Sequence, residues 1–235
     1  MKTPFITAVI TCGGSSSRMK GVNKILNNLG EIPTVGHSLL AFQKNDNISA
    51  IIVTARECDA EKIRGICREL KIDKLRTVTK GGDCREASVL CGVMCCPEET
   101  DFVLVHDGAR PFVTQEVINR VCAALSDGNK SVCPAVALKD TAVLIDDNGT
   151  AAQTLNRPLV RLIQTPEGLD FKIFKKTLTE NRERLSSFTD DCSVLAACGI
   201  KARIVEGDPK NIKLTSPEDL IFADAILKSR ERSRR

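Results

Sequence analysis

Residues 6–24 read ITAVITCGGSSSRMKGVNK, a short apolar run that passes directly into a loop of glycines and serines ending in cations. The run from Ile6 to Thr11 is too short for a helix and rich in β-branched residues, which predicts a buried strand. Small residues between a strand and a helix let backbone N–H groups come close to an anion. The loop lacks both the Gly-x-x-x-x-Gly-Lys-Ser/Thr pattern and the Gly-x-Gly-x-x-Gly pattern. Two readings stay open: an anion-binding loop of another kind, or an ordinary flexible connection. Arg18 and Lys24 favour the first, because a guanidinium can bridge two oxygens and an ammonium adds a point charge. Met19 reads as a packing residue.

The same punctuation recurs along the chain. ISAIIVT (48–54), LRTVT (75–79), FVLVH (102–106) and SVCPAVAL (131–138) read as further buried strands. Between them, Val35, Leu39, Leu40 and Phe42 mark one helix, and Val89, Leu90, Val93 and Met94 share a face of another. Ile118, Val121, Cys122 and Leu125 follow amphipathic spacing. Alternation of this kind predicts an α/β fold with a mostly parallel sheet and helices on both faces, its ligands held beyond the carboxyl ends of the strands. Helices are expected near 168–180 and 189–198, strands at ARIVEG and NIKLT, and a last helix opened by SPEDL, with Pro217 in its first turn. Residues 139–160 break the alternation, with DDNG between two β-prone stretches. They read as a protruding β-arm, marginal alone and suited to a dimer contact. The expected organisation is one domain over 1–138 and 161–228, the arm at 139–160, and a frayed basic tail at 229–235.

Composition narrows the function classes. At 235 residues and 42% hydrophobic the chain can bury a real core. No run approaches the length of a membrane span, and the start MKTPFITAVI lacks a cleavage signal, so a cytosolic protein without a membrane partner is expected. The eleven cysteines are scattered without Cys-x-x-Cys spacing. They read as reduced, mostly buried thiols in a reducing compartment. The basic tail KSRERSRR is unaccompanied by stacking aromatics, and the chain has no Trp or Tyr. No nucleic-acid partner is therefore expected.

Two more segments sit just after predicted strands. In VHDGARPF (105–112), Asp107 can ligate Mg2+ or accept hydroxyl hydrogen bonds, and Arg110 can hold a phosphate or order the loop. His106 is an acid/base candidate that is more commonly structural at a strand end. In GGDCREASV (81–89), Gly81 and Gly82 permit close approach to a flat ligand, and Asp83 and Ser88 supply an acceptor and a donor. Arg85 reads as structural.

These pieces occur in one order with several others: GSSSRM with Lys24, GGDCREASV, LVHDGARPF, KDT (139–141), LNRPLV, QTPEG, TDD (189–191) and NIKLTSPEDL. On them the chain resembles the 2-C-methyl-D-erythritol 4-phosphate cytidylyltransferase family over nearly its whole length. The resemblance implies a Rossmann-like nucleotidyltransferase that joins CTP to a polyol phosphate, with Mg2+ held largely by the triphosphate. It implies catalytic roles for Arg18, Lys24 and Lys213, and CTP binding by Gly13, Gly14, Ser15, Ser16, Gly82, Asp83, Ser88 and Asp107, the last also a metal candidate. Arg110, Thr141, Arg157 and Thr165 would bind the polyol phosphate, with Thr141 and Arg157 carried by the arm across a homodimer. Ser16, Asn23, Ile25 and Val143 depart from the family's usual glycine, proline, glutamine and lysine. Two alternatives accompany this reading: a ribitol-5-phosphate cytidylyltransferase of the same fold, and a catalytically idle nucleotide-binding module.

Overall fold

The computed structural model describes residues 3–13 and 23–232. The opening run forms β1 (Ile6–Cys12), inside the sheet. A small hairpin of β2 (Asn28–Leu29) and β3 (Ile32–Pro33) leads to α1 (Thr34–Gln43). Strands and helices then alternate as β4 (Ala50–Ala55), α2 (Glu57–Glu69), β5 (Leu75–Lys80), α3 (Arg85–Met94), β6 (Phe102–Asp107), α4 (Gln115–Ser126) and β7 (Ser131–Ala137). β1 lies parallel to β4 and β6, and β4 to β5. After the arm strands β8 (Val143–Ile145) and β9 (Ala151–Thr154) come β10 (Arg161–Ile163), β11 (Glu167–Asp170), α5 (Phe171–Glu180), α6 (Asp191–Ala196), β12 (Arg203–Glu206) and α7 (Pro217–Arg232). The main sheet runs β10-β7-β11-β6-β1-β4-β5, with β12 parallel to β7. β10 and β11 are the antiparallel members, lying against β7 with Ile163 opposite Ala135 and Gly168 opposite Val132.

Both faces of the sheet are covered, and the period of two along each strand divides the core. Ile6, Ala8 and Ile10 of β1 pack with Ile51 and Val53 of β4 and with α1, α2 and α4. Val9, Ile52, Val103 and Val105 face the other way, against α3, α5 and α6. Among the helices anticipated from spacing, Val35, Leu39 and Phe42 are buried, as are Ile118, Val121, Cys122 and Leu125. Leu40 is only half-buried, and Met94 is 55% exposed. Six cysteines are buried (Cys12, Cys67, Cys96, Cys122, Cys133 and Cys192), and all eleven are free thiols. No helix among the described residues is long and apolar enough to cross a membrane.

Three segments differ from the sequence reading. NIKLT is irregular rather than a strand, because its backbone is engaged elsewhere: Leu214 N donates to Ala109 O, and Thr215 N and Ser216 N donate to the Asp219 carboxylate. The segment from 167 opens as β11 and becomes helical only at Phe171, where the Asp170 side chain accepts from Ile173 N and caps α5. The basic end is helical to Arg232, and Arg230 stacks on Phe112 and donates to its carbonyl.

The arm strands pair only with each other in a separate two-stranded sheet, and every residue of both is exposed. Asp146 organises the turn by accepting from Asn148 N and Thr150 N, and Gly149 takes the positive φ of +78°.

Gly92 marks where α3 meets the sheet. A Cβ there would lie 2.5 Å from Val9 Cγ1 and 2.9 Å from Thr54 Cγ2. Gly92→Ala is therefore expected to destabilise the fold by about 1–3 kcal/mol despite alanine's better helix propensity. The measurement is urea unfolding: the midpoint should fall, and an unchanged midpoint would contradict this packing.

Candidate active site

The carboxyl end of β6 brings the charged residues together. Asp107, 6% exposed, closes that strand. Its Oδ1 accepts from Arg85 Nε at 3.2 Å, and its Oδ2 lies 2.8 Å from Lys213 Nζ and 3.5 Å from Arg110 Nε. The three cations come from the first turn of α3, the segment before α7 and the loop after β6. Burial opposes the charge on Asp107, but Arg85, Lys213 and Arg110 outweigh it and hold the carboxyl well below its usual range.

Lys213 owes its place to the irregular course of NIKLT. Asn211 O accepts from Arg110 Nη1 at 2.8 Å, and Asn211 Nδ2 donates to Thr165 O at 2.8 Å. Gln164 Nε2 donates to Asp208 O at 2.9 Å, tying the same segment to the chain between β10 and β11. Its neighbour Leu214 packs with Leu29, Phe112 and Ala223.

His106 and Thr165 form the floor beneath Asp107. The Thr165 hydroxyl accepts from Asp107 N at 3.1 Å and lies 2.9 Å from His106 Nδ1, while His106 Nε2 lies 3.1 Å from Arg110 O. A carbonyl can only accept, so Nε2 carries the proton, and Nδ1 accepts from the hydroxyl. Burial lowers the pKa of this imidazole to about 4, so it is neutral at physiological pH. The structural reading of His106 follows. The Thr165 side chain likewise stands behind Asp107, its hydroxyl already engaged on both sides.

Arg85 was legible as structural, but not what it joins. Its Nη2 donates to Asp191 Oδ2 at 2.7 Å and its Nη1 to Glu86 Oε1 at 3.4 Å. Burial disfavours the guanidinium's charge, yet Asp191 and Asp107 raise its pKa. Asp191 opens α6, which Asp190 caps by accepting from Ser193 N while Ser193 Oγ returns to Asp190 O. Glu167 lies beside this pair and accepts from Cys192 N at 2.7 Å. Burial, then the charge of Asp191, pushes the Glu167 carboxyl well up; burial also raises Asp191, where the Arg85 guanidinium opposes the shift.

The loop after β5 is built around Ser88. Its hydroxyl accepts from Gly82 N at 3.1 Å and donates to Cys84 O at 3.0 Å. A Cβ on Gly82 would fall 2.6 Å from Ala87 Cβ, so this position needs glycine for the close approach of α3. Gly13, at the end of β1, faces the same hydroxyl, and Asp83 is exposed.

Thr141 and Arg157 are exposed at the base of the arm, where Arg157 Nη1 donates to Lys139 O; no ion pair joins either to the Asp107 cluster among the described residues. Gly14, Ser15, Ser16 and Arg18 lie outside the described residues. Lys24 is half-buried beside two departures from the family pattern that the fold explains. Asn23 donates to Asp59 Oδ2 and accepts from Ile25 N, and Ile25 enters the core. A metal ligated directly by Asp107 fits poorly, since both of its oxygens already face cations.

The profile of the 2-C-methyl-D-erythritol 4-phosphate cytidylyltransferase family matches residues 6–229. The enzyme of that name from Rubrobacter xylanophilus is 36% identical over 226 residues, 96% of each chain. Its counterpart from Clostridium beijerinckii is 37% identical over 229 residues, 96% of this chain and 99% of its own. A crystal structure of 4-diphosphocytidyl-2C-methyl-D-erythritol synthase from Anaerococcus prevotii superposes with a TM-score of 0.86 at 32% identity, covering 96% of this chain and 97% of that one.

The hydrogen bonds of His106 give a measurable signature, helped by the presence of only two histidines in the chain. Imidazole nitrogen NMR is expected to show the neutral Nε2–H tautomer from about pH 8 down to about pH 5. A protonated His106 at about pH 6 would contradict the arrangement. The unfolded chain takes up this proton near 6.5 and the folded chain near 4, so stability from this group falls as pH drops through that interval.

Proposed function

The chain belongs to the 2-C-methyl-D-erythritol 4-phosphate cytidylyltransferase family, and from that membership we infer that it transfers CMP from CTP to 2-C-methyl-D-erythritol 4-phosphate. The products are 4-diphosphocytidyl-2-C-methyl-D-erythritol and pyrophosphate, within non-mevalonate isoprenoid precursor synthesis. The observation that carries this reading is the Asp107 carboxylate ringed by Arg85, Arg110 and Lys213 at the carboxyl end of β6.

In the reaction an oxygen of the substrate's phosphate forms a bond to the α-phosphorus of CTP while the bond to the bridging oxygen breaks, and pyrophosphate leaves with that electron pair. The attacking oxygen is already ionised, so no general base is required, in keeping with a neutral, buried His106. Catalysis then rests on positioning and on charge offered to the five-coordinate phosphorus. Lys213, with 37% of its side chain exposed, is the cation of the cluster best placed to reach a ligand. Lys24 and Arg18 would approach from the loop after β1.

Gly82, Asp83 and Ser88 would hold the cytosine and Asp107 the ribose side, with Gly13, Gly14, Ser15 and Ser16 along the nucleotide. Arg110 and Thr165 would support the site from behind Asp107, Arg110 through Asn211 and Thr165 through His106. The family typically uses a divalent cation. Here it would be Mg2+ carried by the CTP phosphates, where it neutralises the triphosphate.

Thr141 and Arg157 would reach the polyol phosphate of a second subunit. The aliphatic surface of the arm and its base supports this homodimer: Val143, Leu144, Ile145, Leu159 and Leu162 are 44–79% exposed. The free thiols fit a cytosolic setting.

Pyrophosphate release from CTP should be far faster with methylerythritol 4-phosphate than with ribitol 5-phosphate; the reverse preference, or none with either, would refute the assignment. Lys213→Ala should lower kcat by about 100-fold or more while CTP affinity changes much less. Equal losses in both would remove its transition-state role. Arg157→Ala is expected to raise KM for the polyol phosphate and leave KM for CTP nearly unchanged, and an unaltered polyol KM would contradict the arm's role.

A further inference from the structure

Four charged side chains of alternating sign run from the core to the mouth of the site. Asp191 is fully buried, Arg85 keeps 24% of its side chain exposed, Asp107 keeps 8% and Lys213 keeps 37%. The links are 2.7 Å from Asp191 to Arg85, 3.2 Å from Arg85 to Asp107 and 2.8 Å from Asp107 to Lys213. Each residue stands on a different part of the fold: the first turn of α6, the first turn of α3, the end of β6 and the segment before α7.

The geometry points to Arg85 and Asp191 as positioning residues for cytidylyl transfer: Asp191 anchors Arg85, Arg85 fixes the Asp107 carboxylate, and that carboxylate aims the Lys213 ammonium. The inference rests on the functional reading above and extends it to two residues to which that reading gives no substrate contact.

The guanidinium suits the task for a geometric reason. Arg85 presents Nε to one carboxylate and Nη2 to the other in one rigid plane, so rotation of Asp107 must break a bond that α6 holds in register. A lysine at the same place keeps the charge, but its single ammonium cannot meet both carboxylates in that fork. Asp191 in turn is fixed by the α6 capping box, which sets the direction of the helix's first turn. The arrangement also gives the segment Thr189-Asp190-Asp191 two separate tasks: Asp190 starts the helix, and Asp191 faces the site.

The test uses the full-length protein and compares Arg85→Lys, the isosteric Asp191→Asn and the double variant. Active sites are counted by CTP binding, so that loss of folded protein is separated from loss of rate. Displacing a catalytic group by about 1 Å costs about 100-fold in rate. Accordingly kcat per active site is expected to fall by about 10- to 100-fold in each single variant while KM for CTP moves by less than about threefold. Because both substitutions cut the same bridge, the double variant should be no slower than the slower single variant.

A kcat per active site within about threefold of wild type in Asp191→Asn would overturn the inference, as would multiplicative losses in the double variant. Should Arg85→Lys not fold, Asp191→Asn decides alone. A wild-type enzyme that releases no pyrophosphate with either polyol phosphate would instead refute the functional reading, a result distinct from an active wild type with unaffected variants.

Discussion

Asp107 keeps its negative charge where burial opposes charge, and the layout of the site follows from that requirement. A buried ion without partners costs several kcal/mol, so the carboxylate stays ionised only if cations are delivered to it from several directions. The doubly covered sheet makes this possible. Strands β1, β5 and β6 end on the same side, and the segments leaving β5 and β6 converge there with the chain that precedes α7. Asp191 and Glu86 also answer Arg85, so the positive charge left toward the open side is that of Arg110 and Lys213, which share the single Asp107 carboxylate. A surface of that sign suits a polyphosphate whose negative charge grows on its leaving group.

The uncharged polar groups serve the same end. His106, Thr165 and Asn211 carry no charge in the folded state, yet their hydrogen bonds fix the backbone of Asp107, the carbonyl of Arg110 and the course of the chain around Lys213. Neutrality matters for the imidazole in particular, since a cation there would add to the three already present. Satisfied networks of this kind define one geometry, which is what a reaction governed by alignment needs.

Strands β1, β4 and β6 were legible because each is a short, nearly continuous apolar run, the pattern of strands buried on both faces, whereas β5, expected to be buried, lies at the sheet edge and buries only Val78. Helix α2 escaped notice, since it turns mainly Ile63 and Cys67 inward and is otherwise polar. NIKLT misled in the opposite sense: its composition suits a strand, but Asn211, Asp208 and Asp219 draw its backbone into loop hydrogen bonds that no local rule anticipates. In the site, Asp107 and Arg110 could be named from their place after a strand, and Lys213 from the family resemblance alone. Their convergence could not, nor could the bond between Arg85 and Asp191, which joins positions 106 apart through tertiary structure alone. Thr165 was named through the resemblance as a polyol-phosphate contact, and only the fold reveals that Asp107 N and His106 Nδ1 already engage its hydroxyl.

The hairpin formed by β8 and β9 belongs to neither core cluster, and its residues face solvent throughout. Side chains that contribute so little to folding are free to drift without harming it, so the requirement of a stable monomer does not explain Leu144 and Ile145. Their retention would record selection acting from outside the subunit. In comparisons among descendants of this chain, change in the hairpin would then track change in whatever it touches, while the sheet diverges at the slower pace that close packing imposes.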